Sequence, residues 1–284
     1  MTRTRTLTSS PGLVGSYLRA GLGALPRPGS RPRTLGDREL RLPGVAVDRD
    51  HLAEYARVCG FRLTDALPGS YPHVLGFPLQ VQLMSAADFP LPLLGLVHVA
   101  NRIRRHRPVG AEETLDLTVR AADLRPHGRG QQVDLVTEVE VAGERVWESR
   151  STYLHRRDAA GPKGPRGEPE VPSGGAVWRL DAGLGRRYAA VSGDRNPIHL
   201  YPWTARAFGF PRTIAHGMWT AARCLADLEG RLPAGYVQEV SFRTPVLLPG
   251  SVAFTASETA GGWTLDLRDA RRGTPHLSGT VTPG

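Results

Sequence analysis

Asp194 and His199 pair a carboxylate with an imidazole only five residues apart, the two groups that general acid–base chemistry sets around one small molecule. On a continuous helix that separation turns the two side chains about 140° apart, so they would serve different faces. The segment Ser192-Gly193-Asp194-Arg195-Asn196-Pro197-Ile198-His199 is not continuous helix, because Gly193 and Pro197 break it. A turn can aim both groups at one point, and Asn196 can brace it with side-chain hydrogen bonds. Further on, Ile214-Ala215-His216-Gly217-Met218 leads into an apolar helix. A glycine at a helix start leaves its backbone N–H open, with the positive end of the dipole behind it. That suits a carbonyl oxygen acquiring enolate charge.

The elements that must hold these residues recur along the chain. Asp48 is expected to cap a helix over His51 to Cys59, and Asp181 its counterpart ending at Val191. Tyr201-Pro202-Trp203 reads as a short helix start that stops at Gly209-Phe210-Pro211. Met218, Ala221, Ala222, Leu225 and Leu228 form a helical stripe ended by Gly230, and its alanines suit a helix gripped closely by a sheet. Strands are expected at Tyr236–Phe242, Val252–Glu258, Trp263–Asp269 and His276–Val281, and in the first half at Val97–Ile103, Thr114–Ala121, Val133–Val141 and Arg145–Tyr153. Helices followed by antiparallel strands read as α+β, one sheet on one long helix, twice. The repeat shows in the residues: Tyr55-Ala56-Arg57-Val58-Cys59-Gly60-Phe61 parallels Tyr188-Ala189-Ala190-Val191-Ser192-Gly193-Asp194, and Pro108-Val109-Gly110 parallels Leu248-Pro249-Gly250. The spacing grows by seven residues between the two matches, so the second copy carries an insertion just after Gly193, where the acid–base turn lies.

Composition bounds the rest. Of 284 residues, 40% are hydrophobic and 22% charged, enough for a packed core. No apolar run is long enough to cross a membrane. Two distant cysteines, Cys59 and Cys224, exclude a disulfide framework and a cysteine metal site, and fit a reducing cytoplasm. The net charge of +9 favours anionic partners, yet the 7% aromatics are not interleaved with basic clusters, so a nucleic-acid partner is not expected. Residues 1–35 form an extension with an apolar patch at Leu13, Val14, Tyr17 and Leu18 and no acidic residue before Asp37. Residues 156–176 are a Gly/Pro-rich linker, which divides the chain into repeats at 36–155 and 177–284.

The run from Tyr188 to Ala222 closely resembles the MaoC-like dehydratases, the (R)-specific enoyl-CoA hydratases, and the rest of the second half does so more loosely. Their signature is similar to Tyr188-Ala189-x-x-Ser192-Gly193-Asp194-x-Asn196-Pro197-Ile198-His199, then Ala205 to Phe210 (one residue longer than the family pattern), then Ile214-Ala215-His216-Gly217-Met218. The resemblance implies a double hot-dog fold, each antiparallel sheet wrapping a central helix. It also implies reversible syn addition of water to a trans-2-enoyl thioester, with no cofactor and no metal. By the same analogy Asp194 and His199 hold the water and the N–H of Gly217 polarises the thioester carbonyl, with Asn196, His216, Met218 and Arg212 as substrate-binding candidates. The thioester would be carried by coenzyme A or an acyl carrier protein, and Arg186, Arg187, Arg206, Arg212 and Arg243 flank the motif as candidate phosphate contacts. Some relatives place a serine early in the central helix, where this chain has Ala222, Cys224 and Leu225.

The first half departs from this pattern. Phe61 stands in place of Asp194, the seven-residue insertion is missing, and Leu75-Gly76-Phe77 replaces His216-Gly217-Met218. The first repeat is therefore expected to be inactive and to free space for an acyl chain, with Leu75, Phe77, Leu79, Val81, Leu83 and Met84 as candidate walls. His51, His73, His98, His106, His127 and His155 show no metal-ligand spacing and read as isolated residues, and Tyr188 as a core aromatic. Two repeats in one chain would pair as a pseudo-dimer, with a homodimer of chains a further step. The competing readings are a hot-dog acyl thioesterase and a non-catalytic acyl-thioester-binding subunit.

Overall fold

The structure is a computed structural model that describes residues 3–13, 15, 32–93, 95–156 and 175–284. The strands are β1 (Arg3–Thr6), β2 (Arg38–Val45), β3 (Leu96–Arg105), β4 (Leu115–His127), β5 (Gly130–Val141), β6 (Glu144–Arg156), β7 (Ala176–Leu180), β8 (Tyr236–Phe242), β9 (Gly250–Thr259), β10 (Gly262–Asp269) and β11 (Pro275–Pro283). The helices are α1 (Arg49–Cys59), α2 (Tyr71–Met84), α3 (Leu184–Ser192), α4 (Pro197–Leu200), α5 (Pro202–Ala207) and α6 (Gly217–Asp227).

All the strands join one sheet in the order β1-β2-β4-β5-β6-β3-β8-β11-β10-β9-β7. Setting β1 aside, the order is palindromic: β2-β4-β5-β6-β3 mirrors β7-β9-β10-β11-β8. The copies meet edge to edge where β3 pairs antiparallel with β8, from Ala100↔Ser241 to Arg105↔Tyr236. This junction removes an exposed edge from each copy and makes the double hot-dog. Each half wraps one long helix. Helix α2 is apolar on all sides and accordingly buried almost throughout, among strands β2, β4 and β5. Helix α6 buries Met218, Trp219, Ala221, Ala222, Cys224 and Leu225.

Helices α1 and α3 pack together across the repeat axis. Asp48 caps α1 as expected, accepting the N–H groups of Asp50 and His51. Its partner behaves differently: Gly183 is the N-cap of α3, while Asp181 accepts the Gly183 N–H at 2.7 Å and pairs with Arg187. Both helices end in a left-handed glycine, Gly60 (φ 82°) and Gly193 (φ 72°), which confirms the repeat alignment at this point. His51 Nε2 meets the Val191 carbonyl at 2.8 Å and the Trp219 indole N–H donates to Val58 O at 3.0 Å, tying the copies together.

Elsewhere the structure departs from the sequence reading or adds to it. Helix α6 ends at Asp227, three residues before Gly230, whose φ of 83° belongs to the following turn. Gly76 does not occupy a helix start: α2 begins at Tyr71, and Gly76 lies inside it with Thr137 so close that an added Cβ would come within 2.7 Å. Strands β2 and β7 give little signal, since β2 buries only Leu40 and Leu42 and β7 only Leu180. The extension contributes β1, parallel to β2, and Leu13, which lies against Gly193; Val14, Tyr17 and Leu18, and most of the linker, fall outside the described residues.

Candidate active site

The insertion after Gly193 folds as a turn followed by the single-turn helix α4. Asp194 Oδ1 accepts the Asn196 N–H at 3.1 Å, and Asn196 caps α4 by accepting the Ile198 N–H. Pro197 occupies the first helical position, where its missing N–H costs nothing. Helix α3 packs so tightly on this turn that a Cβ on Gly185 would come within 2.2 Å of the His199 carbonyl oxygen. Only glycine allows that approach, so Gly185 sets the position of His199.

His199 is buried, and its Nδ1 lies 2.8 Å from the Ile214 carbonyl oxygen. A carbonyl only accepts, so Nδ1 carries the proton and Nε2 is left as an acceptor. His216 stacks on this ring with centroids 3.6 Å apart and gives its Nε2–H to the backbone carbonyl of Asp194 at 2.9 Å. The same Nε2 is 3.9 Å from Asp194 Oδ2. Burial holds both imidazoles below their ordinary pKa, against the opposing pull of the Asp194 charge, with His216 pushed down to about 3. Both are neutral at physiological pH. Asp194, His199 and His216 each offer one donor atom within 4.8 Å of the others, a spacing that could hold a metal ion and equally one water molecule.

Helix α6 starts beside this group. His216 is its N-cap in an extended conformation and makes no side-chain capping bond, so the first N–H groups are not capped from within. Gly217 packs under the Phe242 ring, which an added Cβ would meet at 3.1 Å.

These residues line one cavity of about 190 Å³. Six of the seven expected site residues reach it: Asp194, His199, Gly217, Asn196, His216 and Met218. Arg212 lines an adjoining groove with Arg271 and Arg272, and its Nη1 donates to Pro249 O at 3.0 Å. Thr244, Pro245, Val246 and His276 border both spaces. Arg243 lines the cavity itself, whereas Arg187 is bound to Asp181 and Arg186 to the Leu200 carbonyl. The far wall comes from the first repeat: Val74, Phe77 and Met84 of α2, Leu96 and Val97 of β3, and Leu93. Of the acyl-wall candidates only Phe77 and Met84 are there; Leu79, Val81 and Leu83 face the core, and Leu75 packs against it, because α2 turns those positions away.

Sequence reasoning missed His73, His98, Tyr153 and Phe242, all of which line the cavity. Their signal is not local: they stand on α2, β3, β6 and β8, and it takes the β3–β6 pairing and the contact of His98 with Phe242 of the second repeat to bring them together. Tyr188 is buried as expected, and its ring lies 4.9 Å from that of His216.

Residues 183–271 match the MaoC like domain. The chain is 42% identical over 279 residues to 3-hydroxyacyl-thioester dehydratase X of Mycobacterium tuberculosis, spanning 96% of this chain and 99% of that protein. It is 38% identical over 77 residues to the (R)-specific enoyl-CoA hydratase of Aeromonas caviae, covering 26% of this chain and 58% of the relative. The crystal structure of HtdX of Mycobacterium tuberculosis superposes with a TM-score of 0.78 at 40% identity, over 87% of this chain and 100% of that one. With the acid–base turn, the glycine helix start and the palindromic sheet already in place, this full-length likeness shows that the chain belongs to the MaoC-like dehydratase family.

Proposed function

We propose that this protein catalyses the reversible syn addition of water to a trans-2-enoyl thioester, giving the (R)-3-hydroxyacyl thioester. The observation that carries the reading is His199 held as a neutral proton acceptor beside Asp194, in a cavity that also receives the start of α6. Water loses a proton to the Asp194–His199 pair while its oxygen bonds C3. The pair returns a proton to C2 from the same face, and the electron pair displaced from the double bond passes through an enolate whose oxygen the Gly217 N–H stabilises. Protons and electrons balance without a cofactor. Asn196 and His216 hold the turn, and Met218 borders the acyl group.

The arginine groove continues the cavity at its C-terminal-repeat end, so Arg212, Arg271 and Arg272 take the phosphates of the thioester carrier, and the apolar wall of the first repeat takes the acyl chain. We divide the chain into an extension (1–35), a non-catalytic repeat (36–155), a linker (156–176) and a catalytic repeat (177–284). The two repeats form a pseudo-dimer with one complete site, so a homodimer of chains would double the sites without building a new one. We assign the protein to the cytoplasm, where its two buried free cysteines stay reduced.

The experiment is to supply a trans-2-enoyl-CoA to the purified protein and follow the conjugated double bond, free thiol and product configuration together. Loss of the double bond to an (R)-3-hydroxy product with no thiol release is expected. Thiol release with the double bond intact would overturn the reading in favour of a thioesterase, whose water must be aimed at the carbonyl carbon.

A further inference from the structure

The cavity wall supplied by the first repeat is mainly apolar; beside Tyr153 and Arg156, it carries two imidazoles. His73, on α2, and His98, on β3, border the cavity with ring centroids 6.3 Å apart and planes 17° from parallel. Around them are Val74, Phe77, Met84 and Leu96. His73 is 3% exposed, and its Nδ1 has no hydrogen-bond partner among the described residues; neither has Nε2 of His98. Buried polar atoms are normally met by protein, water or ligand, because leaving one unmet is costly. The reaction proposed above uses no imidazole here, and a leucine at either position would make a plainer acyl wall.

The chemistry of the missing partner follows from the rings. A neutral imidazole carries one N–H donor and one acceptor nitrogen, so the unmet nitrogens of this pair call for a partner that can serve either role. Burial keeps both rings neutral, with His73 down at about 4 and His98 at about 3. An acceptor nitrogen calls for a donor, which a carbonyl or ether oxygen cannot supply. A hydroxyl can donate to a bare ring nitrogen and still accept from a ring N–H. Tyr153 stacks on His98 at 4.6 Å and Phe242 meets it edge-on at 5.0 Å, fixing the ring. Phe242 is also the ring that covers Gly217. The imidazoles thus stand one aromatic ring away from the amide assigned to the thioester carbonyl, on the acyl side.

We propose that His73 and His98 form a hydroxyl-recognition station, and that the preferred substrates are acyl thioesters bearing a hydroxyl group a few carbons beyond C3. The proposal rests on the thioester reading of the cavity. Its test needs no turnover: calorimetric binding of saturated acyl-CoA analogues of one chain length, unsubstituted or with a single hydroxyl moved one carbon at a time beyond C4. One hydroxyl position should bind about 10-fold or more tighter than the unsubstituted chain, since a site built around a hydroxyl penalises its absence. His98→Phe should abolish that preference, and His98→Gln, which keeps an acceptor, should retain part of it. If the wild-type protein binds the unsubstituted chain as well as every hydroxylated isomer, the proposal is overturned, whatever the variants do. Hydroxyl-selective binding without hydration of any enoyl-CoA would leave the station standing and remove the activity proposed above; absence of all acyl-CoA binding would overturn both.

Discussion

The two repeats share a backbone plan and differ in the few residues that follow one glycine. In the first, Gly60 ends α1 and Phe61 follows, its ring stacked on Tyr55 at 6.3 Å. In the second, Gly193 ends α3 in the same left-handed conformation, and the chain then makes the extra turn through Asp194, Asn196 and His199. The first repeat starts its central helix at Tyr71 with Pro72 next to it; the second starts at Gly217 under Phe242. One copy therefore has packing residues where the other carries a carboxylate, an imidazole and a helix start without a side-chain cap. The comparison also shows that the first copy is no mere support. It supplies one wall of the cavity, including two imidazoles that each have a ring nitrogen without a hydrogen-bond partner among the described residues.

The largest effect that would sharpen this contrast is loss of the turn's own groups. Asp194→Asn and His199→Ala should each lower kcat by about 10²-fold or more, as expected for a positioned proton-transfer group, with circular dichroism unchanged. Phe61→Ala in the first repeat should stay well above either. Near-native turnover in both second-repeat variants would break the assignment.

Next comes the amide. His216 has φ −68° and ψ 137°, a conformation compatible with a following proline, and proline is tolerated at the first position of a helix. Gly217→Pro should therefore keep α6 while deleting the N–H, lowering kcat by about 10²-fold. Gly217→Ala brings the same Cβ against Phe242 but keeps the donor, so it should lose much less. Equal losses in the two would assign the effect to crowding.

Acidification should produce a smaller, graded effect. His199 and His216 are buried neutral with lowered pKa values, as are His73 and His98. Below about pH 6.5 the unfolded chain takes up protons that the folded chain refuses, so stability falls as pH drops, until the folded pKa values near 3 to 4 are reached. Thermal midpoints measured between pH 7 and pH 4.5 should decline steadily, and kcat/KM should hold to below pH 6.5 because neutral His199 persists there. An activity limb centred at or above 6.5 would contradict a buried neutral base.

The smallest expected effect is none. Phe61→Asp placed in the Asp194→Asn background should restore no activity, because the turn carrying a histidine is absent beside it. Measurable recovery would mean that the two repeats are functionally closer than their sequences suggest.

Much of the geometry of the Asp194–His199 turn was legible because it is local. Asp194, Asn196 and His199 fall within six residues that follow Gly193 and contain Pro197, so residue type and spacing carry the signal. Gly217 was legible for the same reason, standing just before a clear apolar stripe. The strands of each meander could be read from their alternation. Less was visible where tertiary contact decides. Gly76 mimics a helix start in Leu75-Gly76-Phe77, yet α2 is apolar on every side and gives no stripe from which to read its register. Strands β2 and β7 bury too few side chains to alternate clearly. His73 and His98 are unremarkable singly; they become a pair only when α2 lies beside β3 within the first repeat. Gly185, inside an ordinary amphipathic helix, shows its role only against the His199 carbonyl.

The central claim is that one water, held between Asp194 and His199, adds to C3 while the same pair returns a proton to C2 from the same side. Hydration of a trans-2-enoyl-CoA in deuterium oxide, with the product read by proton NMR, tests it directly. The account predicts one deuterium at C2, syn to the new oxygen of an (R)-3-hydroxyacyl product. Deuterium on the opposite face, or scrambled between both, would contradict it.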